Sequence, residues 1–215
     1  MKNIFFLCFC LATALSSAQE TEKKSIQWGL SLGVETQYLG IELLTEPVED
    51  DPWVFADRNK AGFTLGLVGQ KHIFRELSFQ TGLNCSFTRN LVTFYPPKDK
   101  VMYQFADLEL PAYFVLTNHK SKNLPLRGKL LFGGRLGMNV GSSGDKRLLV
   151  LRERLALDLG LGVDIRFKKL SISPEAIYSH GMNNIHDFTS TEYDFLVGRV
   201  ERDKLIFRVV LMRAK

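Results

Sequence analysis

From about residue 26 onward, apolar and polar side chains alternate with a period of two, in repeated segments of about ten residues. That is the pattern of strands carrying one greasy face and one polar face. It is clearest over 154–167, where Leu155, Leu157, Leu159, Leu161, Val163, Ile165 and Phe167 alternate with Arg154, Ala156, Asp158, Gly160, Gly162, Asp164 and Arg166. A helix over the same residues would spread charge around every side. Similar segments lie near 26–39, 61–70, 77–87, 103–117, 129–140, 170–179 and 205–212, so the pattern predicts eight strands. No segment after residue 18 has the roughly 20 uninterrupted apolar residues of a transmembrane helix.

The connections alternate in length. Segments 40–60, 90–100, 141–150 and 183–197 are long, whereas 72–76, 118–127 and 168–169 are shorter. An even number of strands with alternating short and long connections predicts an all-β fold, an eight-stranded antiparallel up-and-down transmembrane β-barrel with short periplasmic turns and longer external loops. Pro111 and Pro174 fall inside strands, where each removes a ladder donor, and bulges are expected there.

Alternation alone does not say which face is inside. A soluble periplasmic lipocalin-like barrel binding an apolar ligand would alternate too, with the greasy face inward. The polar set here is rich in Gly and Ser with isolated charges of both signs, which suits a crowded lumen better than a solvated surface. An eight-stranded interior is just filled by side chains, so Leu and Phe from every strand could hardly all point inward. The inward charges are then Glu35, Asp107, Glu109, Asp158, Asp164 and Glu175 against Lys129, Arg135, Arg154, Arg166 and Arg208. Unpaired buried charge is expensive, so a paired lumen network that closes the pore is expected. Trp28 and Phe167 on the periplasmic side, and Tyr38 and Phe63 on the external side, are candidates for interfacial girdles.

The first 18 residues read as an export leader: Lys2, an apolar run over 4–15, and the small residues Ser16, Ser17 and Ala18 before Gln19. Residues 19–215 are then the barrel domain, placed in an outer membrane. Cys8 and Cys10 belong to the leader, which leaves Cys85 without an internal partner. The 215 residues carry 24% charged side chains and a formal charge of +5. Lys71, His72, Arg75, His119, Lys120, Lys122, Arg127, Lys168, Lys169, Arg213 and Lys215 gather at the periplasmic rim, which suits lipid phosphates or a periplasmic partner. Glu42, Glu46, Glu49, Asp50, Asp51 and Asp57 populate the first external loop, with Trp53 and Phe55 among them as a candidate docking surface.

No catalytic, metal or cofactor site is expected. His72, His119, His180 and His186 have no zinc-site spacing. The glycines at 133–134 and 160–162 lie within strands rather than at a strand-to-helix turn. Ser179 and His180 would point to opposite faces of one strand. Outer-membrane lipid is the expected environment, envelope proteins the expected class of partner, and nucleic acid is not expected.

At 108–111 (Leu-Glu-Leu-Pro) and over 170–184, from Leu170 through Pro174, Tyr178 and His180 to Asn184, the chain resembles the PorT-type outer-membrane β-barrel proteins. Leu131-Phe132-Gly133-Gly134 and the run from Asp158 to Asp164 fall where that family carries glycine-rich strands. The resemblance implies a small barrel in the outer membrane of a Gram-negative bacterium and, for the founding member, a part in assembling or maturing a protein-secretion apparatus, which adds secretion proteins to the expected partners. Such barrels often finish on an aromatic residue, whereas this chain ends Leu211-Met212-Arg213-Ala214-Lys215, with Phe207 as the nearest equivalent.

Overall fold

The computed structural model describes residues 26–44, 53–74, 76–95, 99–118, 126–143, 153–167, 169–185 and 197–213. Residues 1–25, which include the expected leader, and residues 45–52 lie outside that set, as do most of the acidic loop positions and Arg75, His119, Lys120, Lys122, Lys168, His186 and Lys215. Eight strands are present: β1 (Gln27–Leu43), β2 (Trp53–His72), β3 (Leu77–Tyr95), β4 (Asp99–Thr117), β5 (Leu126–Ser143), β6 (Glu153–Arg166), β7 (Leu170–Gly181) and β8 (Val197–Arg213). Each pairs antiparallel with its neighbours in chain order, and β1 pairs with β8 from Gly29 with Met212 to Leu43 with Val197. The sheet is therefore a closed barrel with no free edge, which is the condition for β-structure to cross hydrocarbon.

The expected face assignment is the observed one. Ser31, Glu35, Gln37, Asn84, Glu109, Arg135 and Asp158 are buried in the lumen, while Leu32, Leu67, Leu110, Leu136, Leu159 and Phe207 stand exposed on the outside. A soluble lipocalin-like barrel needs the opposite arrangement. The lumen is tight enough to dictate residue size on its wall. At Gly66 an added Cβ would sit 2.0 Å from Asn84 Oδ1, so a side chain there would displace a polar group of the interior.

Two expectations need correction. Pro111 and Pro174 produce no bulge. The β3–β4 pairing skips from Thr81–Ala112 to Asn84–Glu109, and the β6–β7 pairing skips from Gly162–Glu175 to Ile165–Ile172, each in unchanged register. A proline lacks its N–H on one side only, so one ladder opens while the other continues, with Pro111 opposite Arg135 and Pro174 opposite Val209. Side chains bridge the openings: Thr81 Oγ1 donates to the Pro111 carbonyl at 2.9 Å, and the hydroxyls of Ser171 and Ser173 donate to Asp164.

The first two external connections are also shorter than expected, because β2, β3 and β4 run to 20, 19 and 19 residues; these strands project past the ends of the 14-residue β6 and 12-residue β7. The register shifts, at Glu42/Leu43, Ala56/Arg58, Lys60/Phe63 and Ala106/Asp107, all lie toward this external end. There the lumen changes character. Leu39, Val54, Val92, Phe94, Tyr103, Phe105, Ile185, Val197 and Val200 close it with an apolar cluster. Smaller clusters lie lower, around Tyr113, Leu131, Ile177 and Ile206, and around Val68, Val210 and Met212.

Candidate functional site

Each inward charge is positioned by strand parity, because every second residue of a strand points to the axis. Among the described residues, six acids (Glu35, Asp107, Glu109, Asp158, Asp164, Glu175) and six bases (Lys129, Arg135, Arg154, Arg202, Lys204, Arg208) are buried. They come from β1 and from β4 to β8. The described side chains of β2 and β3 add neutral groups instead, among them Thr64, Gln70, Gln80, Asn84, Ser86, Thr88 and Asn90.

The centre of the network is Arg135 on β5. Its Nη1 donates to Glu109 Oε2 at 2.6 Å, its Nε to Asp158 Oδ2 at 2.9 Å and its Nη2 to the Tyr113 hydroxyl at 2.7 Å. The Tyr113 hydroxyl in turn donates to Asp158 Oδ2 at 2.5 Å, closing a ring of three groups, Arg135, Tyr113 and Asp158. Above it, Lys204 Nζ donates to Glu109 Oε1 and Ser86 Oγ at 2.7 Å each and reaches Glu35 Oε1 at 3.2 Å. Arg202 Nη2 donates to Asp107 Oδ2 at 2.5 Å and to Gln37 Oε1 at 2.6 Å, and its guanidinium lies 4.4 Å from the Phe105 ring centroid. Arg202 thus joins the ionic layer to the apolar cluster that caps it. Arg154 donates to Ser179 Oγ at 3.1 Å and to the Arg202 carbonyl at 3.0 Å, and pairs with Glu109 at 3.5 Å.

Nearer the periplasmic end, Glu175 is held between Lys129 at 2.9 Å and Arg208 at 2.7 Å. Asp164 takes Ser171, Ser173 and, at 2.9 Å, Arg166 Nε. Such charges remain in a dry interior only when each is answered by an opposite charge and by hydrogen bonds.

Sequence reasoning placed Glu35, Asp107, Glu109, Lys129, Arg135, Arg154, Asp158, Asp164, Glu175 and Arg208 inside, and inside is where they lie. Arg166 requires correction. It has inward parity, but β6 ends with it, so its side chain is 43% exposed at the rim and only its Nε turns back to Asp164. Trp53 and Phe55 also require correction: they begin β2, facing Tyr95 and Thr93 of β3, and Phe55 is half-buried in a sheet rather than displayed on a loop. Arg202 and Lys204 were missed. The alternation around them, Arg199 to Lys204, puts charge on both faces, and the signal that could have found them is the excess of acid left on the other strands.

On the outer wall, Asp203 accepts from Gly181 N at 2.9 Å and from the Tyr178 hydroxyl at 2.8 Å, and sits 3.0 Å from His180 Nδ1. It ends the β7–β8 ladder by giving the Gly181 N–H a side-chain acceptor. Ser179 points inward to Arg154, so no nucleophile accompanies this His–Asp pair on its strand.

No family model matches the chain, and no curated protein sequence matches it. Solved structures do. The outer membrane protein OprG from Pseudomonas aeruginosa is similar at a TM-score of 0.55, 11% identity, over 87% of this chain and 93% of that one. Neisserial surface protein A gives 0.45 and 12% over 86% and 97%, and the outer membrane protein AlkL in DMPC bilayers gives 0.45 and 12% over 92% and 94%. The chain has the fold of a small Gram-negative outer-membrane β-barrel. With the apolar belt turned outward, that fold places the barrel wall in lipid.

Proposed function

We propose that the chain is a non-enzymatic, non-conducting barrel of the cell envelope that works through its two ends, as an accessory to a protein-secretion apparatus. The observation that supports this reading is the lumen: paired acids and bases fill its middle, and an apolar cluster shuts its external mouth. A continuous file of water needs polar lining along the whole axis, and nine buried apolar residues interrupt it here. What remains for recognition is the external rim, where β2 begins with Trp53 and Phe55, and the basic periplasmic rim. The secretion role follows the PorT-type resemblance of the 170–184 segment. In this reading the leader is removed on export, and the barrel domain is residues 19–215.

Planar-bilayer recording tests the closed lumen: the wild type and Arg135→Leu are both expected to pass no sustained current, and strong ion currents in the wild type would overturn it. For the accessory role, cross-linking from Phe55 is expected to capture secretion components, and unimpaired secretion in a deletion strain would remove it.

A further inference from the structure

On the outer wall, β7 forms a trough. Pro174 and Ala176 are small, and they lie between Leu161 and Val163 of β6 on one side and Phe207 and Val209 of β8 on the other. The hollow over them measures about 820 Å³, continues across β8 to Leu32 and Val34 of β1, and opens outward into the apolar belt. Toward the periplasm β7 continues with outward Ile172 and Leu170, the latter roughly 20 Å from Ala176 along the strand at about 3.3 Å per residue. Leu170 pairs with Arg213, and beside it stand exposed Lys169 and exposed Arg166. Met212 faces Gly29, so Arg213 sits at the level of Trp28, whose indole is 65% exposed. Among the described residues at these strand ends, the only acid is Asp164, and it is buried under Arg166.

A greasy channel in the belt with cations and an interfacial tryptophan at the strand ends below it matches one occupant in both halves, a chain of hydrocarbon joined to a phosphate. We propose that this face binds an anionic phospholipid of the periplasmic leaflet, one acyl chain lying along Pro174 and Ala176 and the headgroup phosphate held by Lys169, Arg213 and the free edge of Arg166. The site rests on the lipid-facing reading of the wall. The ladder opening at Pro174 belongs to the same design, because proline leaves the strand without a side chain long enough to fill the channel.

The test is native mass spectrometry of the full-length mature protein recovered from phosphatidylcholine vesicles doped with phosphatidylglycerol. Heat-modifiable gel mobility confirms that each variant is folded. The wild type should retain one phosphatidylglycerol in preference to phosphatidylcholine. Arg213→Gln should lower that retention roughly fivefold, the value of one cation near an anionic headgroup. Ala176→Phe fills the trough and should abolish the preference, whereas Ala112→Phe, outward on the opposite wall, should leave it unchanged. Equal retention of the two lipids by the wild type, or wild-type retention by either Ala176→Phe or Arg213→Gln, would overturn the proposal. Recovery of the folded protein without detergent would instead overturn the lipid-facing reading itself.

Discussion

The barrel contains two interiors that obey opposite rules. In its middle the axis is ionic and the outer wall greasy; at the external end the axis is apolar, and outward positions such as Glu42, Arg89, Gln104 and Arg199 are polar and exposed. The change occurs without a change of strand. On β1 the inward series runs Ser31, Glu35, Gln37 and then Leu39; on β4, read from the other end, Tyr103 and Phe105 give way to Asp107 and Glu109. On β3 it falls between Asn90 and Val92, and on β8 between Val200 and Arg202. Leu39 faces Arg202 and Asn90 faces Tyr103, so the crossover is one level around this side of the barrel. The lesson is that solvent decides which face of a strand is buried. Lipid around the wall leaves polar groups only the axis, and water around the wall sends apolar groups there.

The comparison can be broken at four points. The largest effect is expected from Arg135→Leu, which takes the ion-pair partner from Asp158 and one of three cations from Glu109 and should cost about 4 kcal/mol; urea unfolding of the reconstituted protein measures it, and a near-neutral result would mean the ionic layer is wet. Next, Leu159→Arg, outward in the belt, should cost about 3 kcal/mol in the same assay. Third, Ile185→Ala in the external cluster should cost about 2 kcal/mol, and hydrogen exchange should show the loosening confined to the outer turns of β2, β3, β4 and β8. Smallest, Gln104→Arg, outward beyond the crossover, should shift stability by no more than about 0.5 kcal/mol. A penalty there as large as that of Leu159→Arg would extend the lipid boundary past the crossover.

The same crossover explains what the sequence disclosed and what it hid. Within the belt, parity was legible from β1 to β7 and weakest on β8, where both faces are apolar, and ten of the inward charges could be read from it. Beyond the belt the amphipathic sense reverses, so Trp53-Val54-Phe55 reads as a greasy patch on a loop rather than a strand, and the outer turns of β3 and β4 read as connection. Arg202 and Lys204 lie just inside that level, next to outward Glu201 and Asp203, where no periodicity separates the faces. Tyr113 was legible as inward, but its place between Arg135 and Asp158 depends on three strands meeting, which a single segment does not encode.

Lys204 and Arg202 sit on the last strand, yet the carboxylates they answer, Glu35, Asp107 and Glu109, belong to β1 and β4, up to 169 positions earlier in the chain. A nascent sheet lacking its final hairpin would hold those acids with too few countercharges. The final strand therefore acts as a keystone whose arrival both zips the seam to β1 and neutralises the vault. Growth of this wall inside lipid is penalised until the circle completes, which favours an all-or-none closure over a gradual one.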